Sequence, residues 1–325
     1  MTFHAHVGRA LLAAAVLLFA SMAAAQGWPA KPITLVVPFP PGGGTDAFAR
    51  PLAAQLGKQL GRQVIIDNRG GAGGTVGASV AAKAPPDGYT FLIGAVHHAI
   101  APSFYPKLDY DIERDLVPLT VIAQPPQVIV VNPKRVQVAD MKAFVELLRR
   151  NPGKLNYASA GNGTSHHLAG ELFKQQTKTF IVHIPYRGAG PALQDLIGGN
   201  IDMMFDGLGS SAAHIRGGRI KALAVAAPKR SPAFPDVPAT SEVGLPDYLV
   251  STWYGIWGVK GTPKDILERM HAEVVKALQS AELREIWQSQ GSETVTMSPE
   301  EFSRFLSAEI KRWAQVAKTS GAKLD

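Results

Sequence analysis

The sequence contains no cysteine. The chain therefore forms no disulfide and has no thiolate for metal binding or nucleophilic catalysis. Its 325 residues are enough for two domains, and domains of that size fold without disulfides. Hydrophobic residues make up 46% and charged residues 18%, so the composition is that of a globular protein and excludes a disordered or fibrous chain.

Several catalytic and metal-binding motifs are also absent. The sequence has no H-E-x-x-H, no G-x-S-x-G and no Gly-Lys-Ser/Thr that would complete a phosphate-binding P-loop. Two histidine pairs, His97-His98 and His166-His167, occupy adjacent positions that we expect to point in different directions, unlike the i, i+4 spacing of zinc ligands. Ser165 precedes His166, but adjacency does not make a nucleophile and its base. We expect no metal, no cofactor and no enzymatic activity.

Long hydrophobic runs are absent except near the start. A short segment with Arg9 precedes the apolar run Ala10–Ala20, and small residues follow up to Ala25. This layout is typical of a secretory signal peptide, and the run is shorter than the roughly 20 residues of a membrane span. We interpret residues 1–25 as a signal peptide and Gln26 as the first mature residue. A retained N-terminal anchor is the alternative.

The basic surplus is small and scattered. The formal net charge of +7 becomes +6 when Arg9 leaves with the signal peptide. No basic run alternates with aromatic residues, so we expect no binding to nucleic acid. A positive field around a cleft raises the rate of encounter with anionic solutes, which is the interpretation we prefer.

Strand-like and helical segments alternate along the chain. The predicted strands are 33–39, 63–67, 90–94, 128–131, 155–159, 181–185, 201–205, 220–226 and 253–259. The predicted helices are 45–60, 75–84, 140–150, 166–176 and 191–197, and two more close the chain. This alternation predicts an α/β fold with parallel sheets covered on both faces, and its interruption near Gln124 predicts two lobes.

The first glycine-rich turn, Pro38–Arg50 (PFPPGGGTDAFAR), joins a strand to a helix. A helix N-terminus presents unpaired N–H groups and the positive end of the helix dipole, and glycine lets a ligand approach the backbone. The turn therefore suits an anion, although an ordinary strand-to-helix connection stays open.

A dinucleotide-binding site is a more specific alternative for the same turn. Gly42-x-Gly44-x-x-Ala47 fits the fingerprint G-x-G-x-x-G/A, and Asp67 ends the next strand where a ribose-binding acid is expected. A dinucleotide-dependent oxidoreductase would use this motif. The paired prolines that lengthen the turn, and export away from the nucleotide pool, count against it.

A second turn lies in Tyr157–Phe173 (YASAGNGTSHHLAGELF). Its glycines and hydroxyl side chains again stand between a predicted strand and a predicted helix. Two lobes that each carry such a turn can face each other across a cleft. They could hold a carboxylate by charge-assisted hydrogen bonds of roughly 1.5 to 3 kcal/mol each.

Three further features are ambiguous. Asp206 follows an apolar run, so it either points into the crevice at the carboxyl end of a strand or forms a turn with Gly207. Arg187 either complements an anion or lies in solvent. The glycine stretch Asn68–Ala78 is interpreted as a rim loop.

Together these stretches resemble the Bug family, the extracytoplasmic solute receptors of tripartite tricarboxylate transporters. The resemblance covers nearly the whole mature chain. It is carried by WPAKPITLVVPFPPGGGTDAFAR, VIIDNRGGAGGTVGA, PDGYTFLIG, YASAGNGTSHHLAGELF, HIPYRGAGPALQDLIGGNIDMMFD and RSPAFPDVPATSEVGLPDY.

The resemblance implies a two-lobed periplasmic-binding fold, type II-like, with two mixed or parallel sheets. Residues 26–122 and 250–325 would form lobe 1 and residues 123–249 lobe 2, with crossings near Gln124 and Ser251. It also implies a monomeric periplasmic protein that binds a small carboxylate (a di- or tricarboxylate, an aromatic acid or an acidic amino acid) and delivers it to membrane permease subunits. A ligand sensor in signalling is the alternative within the binding class.

The resemblance also assigns site residues. The first turn supplies Gly43, Gly44, Thr45 and Asp46, the second supplies Ser159, Gly163, Thr164 and Ser165, and Asp206, His97 and Phe39 complete the predicted ligand site. The segment Ala95–Tyr105 carries two histidines where the family has small hydroxyl residues. Whether His97 and His98 contact the far end of the ligand therefore stays open.

Overall fold

The computed structural model describes residues 27–320, so the predicted signal peptide lies outside the described residues. The strands are β1 (Ile33–Val37), β2 (Val64–Asn68), β3 (Thr90–Ala95), β4 (Leu116–Ala123), β5 (Gln127–Val131), β6 (Asn156–Ser159), β7 (Val182–Pro185), β8 (Met203–Gly207), β9 (Lys221–Val225) and β10 (Tyr254–Val259). The α-helices are α1 (Gly44–Leu60), α2 (Thr75–Ala82), α3 (His97–Phe104), α4 (Met141–Arg150), α5 (Ser165–Thr177), α6 (Ala189–Gly198), α7 (Leu208–Arg216), α8 (Lys264–Leu278), α9 (Ala281–Ser289) and α10 (Pro299–Ser320). None of these helices is both long enough and apolar enough to cross a membrane.

The strands form two sheets of the same design. The first has the order β2-β1-β3-β10-β4 and the second the order β7-β6-β8-β5-β9. In the first sheet β10 runs in the direction opposite to the other four strands, and in the second sheet β5 does. Each of these strands enters its sheet directly after the chain has crossed from the other lobe. The structure thus confirms the predicted α/β fold with two mixed sheets.

Helices cover both faces of each sheet. Successive residues of β1 alternate between the faces, because side chains along a strand have a period of two. Leu35 packs in the core beneath α1, α8 and α9, and Val36 packs in the core beneath α2, α3 and α10. The helices that close the chain therefore return to the first lobe. In the second sheet, α4 and α5 cover one face and α6 and α7 cover the other.

Two antiparallel segments connect the lobes. The first joins β4 to β5, and the second leads into β10. The backbone N–H of Thr252 donates to the carbonyl of Pro125 (3.1 Å), and that of Gln127 donates to the carbonyl of Val250 (2.9 Å). The predicted lobe boundaries, after residues 122 and 249, lie beside these segments and stay predictions.

Four elements were not predicted: β4, α3, α7 and α9. β4 contains Pro118, which a central strand would exclude but which this edge strand tolerates. Helix α3 begins at His97, within the segment that carries the two adjacent histidines. α7 follows Asp206-Gly207, a pair typical of turns, and α9 is a short helix capped by the hydroxyl of Ser280.

Glycine at the lobe contact allows the two lobes to approach closely. A Cβ on Gly190, the second residue of α6, would lie 2.2 Å from the carbonyl oxygen of Pro41 in the first lobe. Elsewhere along the contact, the hydroxyl of Tyr105 donates to the carbonyl of Asn162 in the second lobe (3.0 Å). The structure is therefore a closed form in which a backbone contact limits how near the lobes can come.

We predict that Gly190→Ala prevents full closure. Its Cβ would meet a backbone oxygen, which cannot rotate away as a flexible side chain can. The second lobe should fold normally, because alanine is a better helix former than glycine by about 1 kcal/mol. We expect affinity for the organic acids anticipated above to fall about tenfold or more, a loss of about 1.4 kcal/mol, measured by isothermal titration calorimetry.

Gly198→Ala is the matched control. It lies at the other end of the same helix, where a Cβ meets nothing nearer than 3.7 Å. Affinity should be unchanged in this variant. Equal affinities in both variants would show that closure at Gly190 does not matter for binding.

Candidate functional site

A cavity of about 30 Å³ lies where the two lobes meet. This is space for about two or three water molecules, so the closed form leaves little free volume. The first lobe contributes Phe39, Gly43, Gly44, Thr45, Ala95, Val96 and His97, the second contributes Ala160, Thr164, Ser165, His166 and Ala189, and the returning chain contributes Thr252 and Tyr254.

The first turn brings the start of α1 to this cavity. Gly43 is extended (φ −88°, ψ 175°) and immediately precedes the helix, which begins at Gly44. The first N–H groups of a helix have no acceptor within it, and the helix dipole is positive at this end. Gly43, Gly44 and Thr45 therefore give the cavity an anion-attracting side without a charged side chain.

Asp46 shapes this turn but does not line the cavity. Its carboxylate accepts hydrogen bonds from the backbone N–H of Gly42 (3.0 Å) and from two nitrogens of Arg50 (2.8 Å each). The side-chain amide of Asn68 donates to Asp46 (3.1 Å) and to the carbonyl of Phe39 (2.8 Å). Because these donors satisfy the buried carboxylate, Asp46 fixes the turn in place.

The second turn brings the start of α5 to the opposite side. Thr164 is extended, precedes the helix, and donates its hydroxyl to the carbonyl of Gly161 (2.7 Å). Behind it, the hydroxyl of Ser159 accepts from the N–H of Gly161 (3.0 Å) and lies 2.7 Å from Nε2 of His183. Burial lowers the pKa of His183 to about 3, so the ring that supports this turn is neutral.

His97 lines the cavity from the start of α3. Its side chain is buried, its ring packs edge-on against Phe39 at 4.7 Å, and its Nε2 has no hydrogen-bond partner. We expected adjacent histidines to point apart, but the rings of His97 and His98 are 3.9 Å apart. Burial, with smaller contributions from His98 and His166, lowers the pKa of His97 well below its usual value.

His166 lines the cavity from the second lobe and lies against Asp206. Nε2 of His166 is 3.6 Å from Oδ1 of Asp206, which has no hydrogen-bond partner. The other oxygen of Asp206 accepts from the hydroxyls of Ser210 (2.7 Å) and Ser211 (2.6 Å). Burial lowers the pKa of His166, although Asp206 acts in the opposite direction. Asp206 thus lies behind His166.

Tyr254 is a site residue that the sequence analysis missed. It lies in β10, and a Cβ on Gly44 would be only 2.1 Å from its hydroxyl oxygen. In the sequence it belongs to an apolar strand, and its ring does stack on Phe48 at 4.6 Å like a core residue. Burial, together with Asp206, raises the pKa of Tyr254, so its hydroxyl stays protonated and can donate to a ligand.

The structure brings together most of the predicted site residues. Phe39, Gly43, Gly44, Thr45, His97, Thr164 and Ser165 line the cavity, whereas Asp46, Ser159, Gly163 and Asp206 do not. The lining residues that were not predicted as site residues are Ala95, Val96, Ala160, His166, Ala189, Thr252 and Tyr254. The alanines and the valine have no polar side chain that could mark them in the sequence as site residues.

The dinucleotide alternative gains no support from this geometry. Ala189 at the start of α6 and the hydroxyl of Tyr254 pack against the glycines of this turn, which lies inside the cleft between the lobes and not at an open sheet edge. Asp67, the expected ribose-binding acid, forms an ion pair with Arg69 at 2.9 Å.

The fold and the cleft between the lobes define the class of periplasmic solute-binding proteins. A structure described as periplasmic binding protein BugD is 32% identical to this chain, with a TM-score of 0.87 over 91% of this chain and 99% of that one. An R. palustris protein solved with adipate is 37% identical, with a TM-score of 0.87 over 91% and 100%. MatC from Rhodopseudomonas palustris, with bound malate, is 33% identical, with a TM-score of 0.83 over 89% and 100%.

Within that class, the chain belongs to the tripartite tricarboxylate transporter receptor family. The family model with that description matches residues 48–322. Protein BugT of Bordetella pertussis is 38% identical over 307 residues, which are 94% of each chain. The UPF0065 protein in the tcbD-tcbE intergenic region of Pseudomonas sp. (strain P51) is 39% identical over 318 residues, 96% of this chain and 94% of that one. The resemblance to the Bug family is therefore confirmed.

We predict that Thr164→Ala weakens ligand binding without unfolding the protein. The hydroxyl at the start of α5 can turn from the carbonyl of Gly161 to an anionic ligand, and a hydrogen bond to a charged group contributes about 1.5 to 3 kcal/mol. Calorimetry should show affinity reduced by about ten- to a hundredfold. Thr164→Ser keeps the hydroxyl and is the control. Unchanged affinity in Thr164→Ala would remove this turn from the site.

We predict that stability falls in acid because of His98. Burial lowers the pKa of His98 to about 3, whereas an unfolded histidine titrates near 6.5. Between these values the unfolded chain binds a proton that the folded chain does not, so the contribution of His98 is present above about pH 6.5 and is lost as the pH falls. Between about pH 7.5 and 5.5, His98 accounts for a decrease of about 1.4 kcal/mol in the free energy of unfolding.

Urea unfolding at these two pH values tests this effect. His98→Leu should lose less stability on acidification than the wild-type protein, by about 1.4 kcal/mol. His271→Leu, on α8 and away from the cavity, is the matched control for replacing a histidine by leucine. The same pH dependence in His98→Leu and the wild type would contradict the prediction.

Proposed function

We propose that this protein is a periplasmic receptor that closes its two lobes on a small carboxylated organic solute. It delivers the solute to the membrane subunits of a tripartite tricarboxylate transporter and catalyses no reaction. The predicted signal peptide, residues 1–25 with cleavage after Ala25, supports the location. The family of the chain supports the transporter partner, and the protein acts as a monomer in this proposal.

One observation carries the proposal: two helix N-termini from opposite lobes converge on a single cavity. The start of α1 brings Gly43 to Thr45, and the start of α5 brings Thr164 and Ser165. Both helix dipoles are positive at these ends, and the backbone N–H groups and hydroxyls can donate to one carboxylate together. A carboxylate held by both lobes favours the closed form over the open one.

The solved relatives support the same chemical class. The R. palustris protein was solved with adipate and MatC with malate, and both ligands are small organic acids. In the closed form the cavity leaves about 30 Å³ of free space between the lobes. A solute therefore has to enter an open form, and the lobes close around it afterwards.

A thermal-shift screen of the mature chain against organic acids tests the proposal. The panel holds dicarboxylates, tricarboxylates, aromatic acids and acidic amino acids. An acid at 100 times its Kd adds about 2.7 kcal/mol to the free energy of unfolding, which raises Tm by several degrees. We expect at least one acid to produce this shift and calorimetry to give one site per chain.

The neutral amides of the same acids are the matched controls and should not shift Tm, because they lack the charge that the helix N-termini attract. Oxidised and reduced nicotinamide dinucleotides belong in the same screen. Stabilisation by a dinucleotide and by none of the acids would overturn the receptor proposal in favour of the oxidoreductase.

A further inference from the structure

We propose that His97 and His166, one from each lobe, form a second subsite that holds the far acid group of a diacid together with one proton taken up from solvent. This role rests on the proposed function, because it defines which acids the same cavity selects. The first acid group of the ligand lies at the starts of α1 and α5, and the second lies between the two imidazoles.

Two imidazoles that each have an unpartnered nitrogen line the same cavity. His97 is 4% exposed and the side chain of His166 is 12% exposed, yet both line the cavity. Neither Nε2 of His97 nor Nδ1 of His166 has a hydrogen-bond partner. Buried polar atoms are normally paired, so these two nitrogens are available to a polar group of the ligand.

If a diacid binds, its second negative charge requires a titratable group at the cavity that can become positive. Among the described residues that line it, none is lysine or arginine. Arg50 lies nearby, but its guanidinium is bound to Asp46. The two helix N-termini can balance one carboxylate, whereas a second buried carboxylate without a counter-charge would be strongly disfavoured. Protonation of an imidazole supplies that counter-charge.

The groups packed against the pair act on an added proton in opposite directions. The neighbours of His97 are His98 on α3, Phe39 after β1, Gly74 before α2 and His166 on α5. The neighbour of His166 is Asp206 on β8, and Asp206 lies close to Tyr254. His98 and burial oppose a charge on His97. Asp206 favours a charge on His166, since its free oxygen is 3.6 Å from Nε2.

Ligand binding then changes the protonation of the pair. Without ligand, burial keeps both imidazoles neutral near pH 7, because it lowers both pKa values. A carboxylate within about 4 to 6 Å favours the protonated form and raises the pKa. One proton moves from buffer to an imidazole nitrogen, no covalent bond to the ligand forms, and the bound diacid and proton together carry a single negative charge.

Calorimetry in paired buffers tests this coupling on the intact mature protein. The probes are diacids and monoacids of matched chain length, adipate with hexanoate and malate with 3-hydroxybutyrate. Titration at one pH in buffers of low and high ionisation enthalpy gives the number of protons taken up. We expect about one proton for a diacid and about none for a monoacid, and a Kd for the diacid that falls by up to about tenfold per pH unit between pH 8 and 6.

Variants identify the groups responsible. In His97→Gln and His166→Gln, diacid affinity near pH 6 should fall about tenfold, while monoacid affinity stays within about twofold. Proton uptake should fall to less than half in at least one of the two. His271→Gln, away from the cavity, should match the wild type in every measurement.

The outcomes separate this subsite from the proposed function. If diacids and monoacids both bind and no proton is taken up, or if both variants keep full uptake, the histidine subsite is wrong and the receptor function stands. If monoacids bind and diacids do not, the subsite is also wrong. If no acid of either kind binds, the proposed function fails and the subsite with it. The buffer experiment on the wild-type protein gives its answer even if a variant does not fold.

Discussion

The site depends on one constraint: the starts of two helices from separate lobes have to come within reach of the same small ligand. Glycine makes this possible at the lobe contact, where Gly190 leaves room for the carbonyl of Pro41. Each helix start alone is an exposed anion site, which binds weakly in water. Together, and shielded by the opposite lobe, the same donors act in a drier environment where each hydrogen bond to a charge is stronger.

Precise placement of those donors requires support from buried polar groups behind them. Asp46 and Ser159 occupy equivalent roles in the two lobes, since each accepts a backbone N–H of its own turn. A carboxylate close to an anion site would repel the ligand if it were free. Asp46 avoids this because Arg50 and the turn itself satisfy it. Asp206 has one oxygen bound by two serine hydroxyls, and its other oxygen lies beside His166.

Sequence reasoning predicted the fold and the two turns because both are local signals. Strand and helix periodicity, and glycines between them, are set by neighbouring residues. The lining role of Tyr254 is not local: it follows from a strand that returns to the first sheet after a long excursion, and its apolar neighbours predict only a core position. The same holds for Ala95 and Ala160, which have no polar group to mark them. Asp46 and Asp206 illustrate the converse, because a polar residue beside a predicted turn can bind the backbone or neighbouring side chains and not line the cavity.

The subsite for the far acid group of the ligand is divided between the two lobes, and this affects lobe closure. A group that contributes to binding only when the lobes meet adds to the difference in affinity between closed and open forms, and this difference is what drives closure. His97 belongs to the first lobe and His166 to the second, so a ligand that contacts both favours closure at two places. A shorter acid that reaches only the helix starts favours it at one. A longer diacid therefore increases the population of the closed receptor more than a shorter acid does. This difference gives the protein a physical basis for selecting among acids that share the same carboxylate.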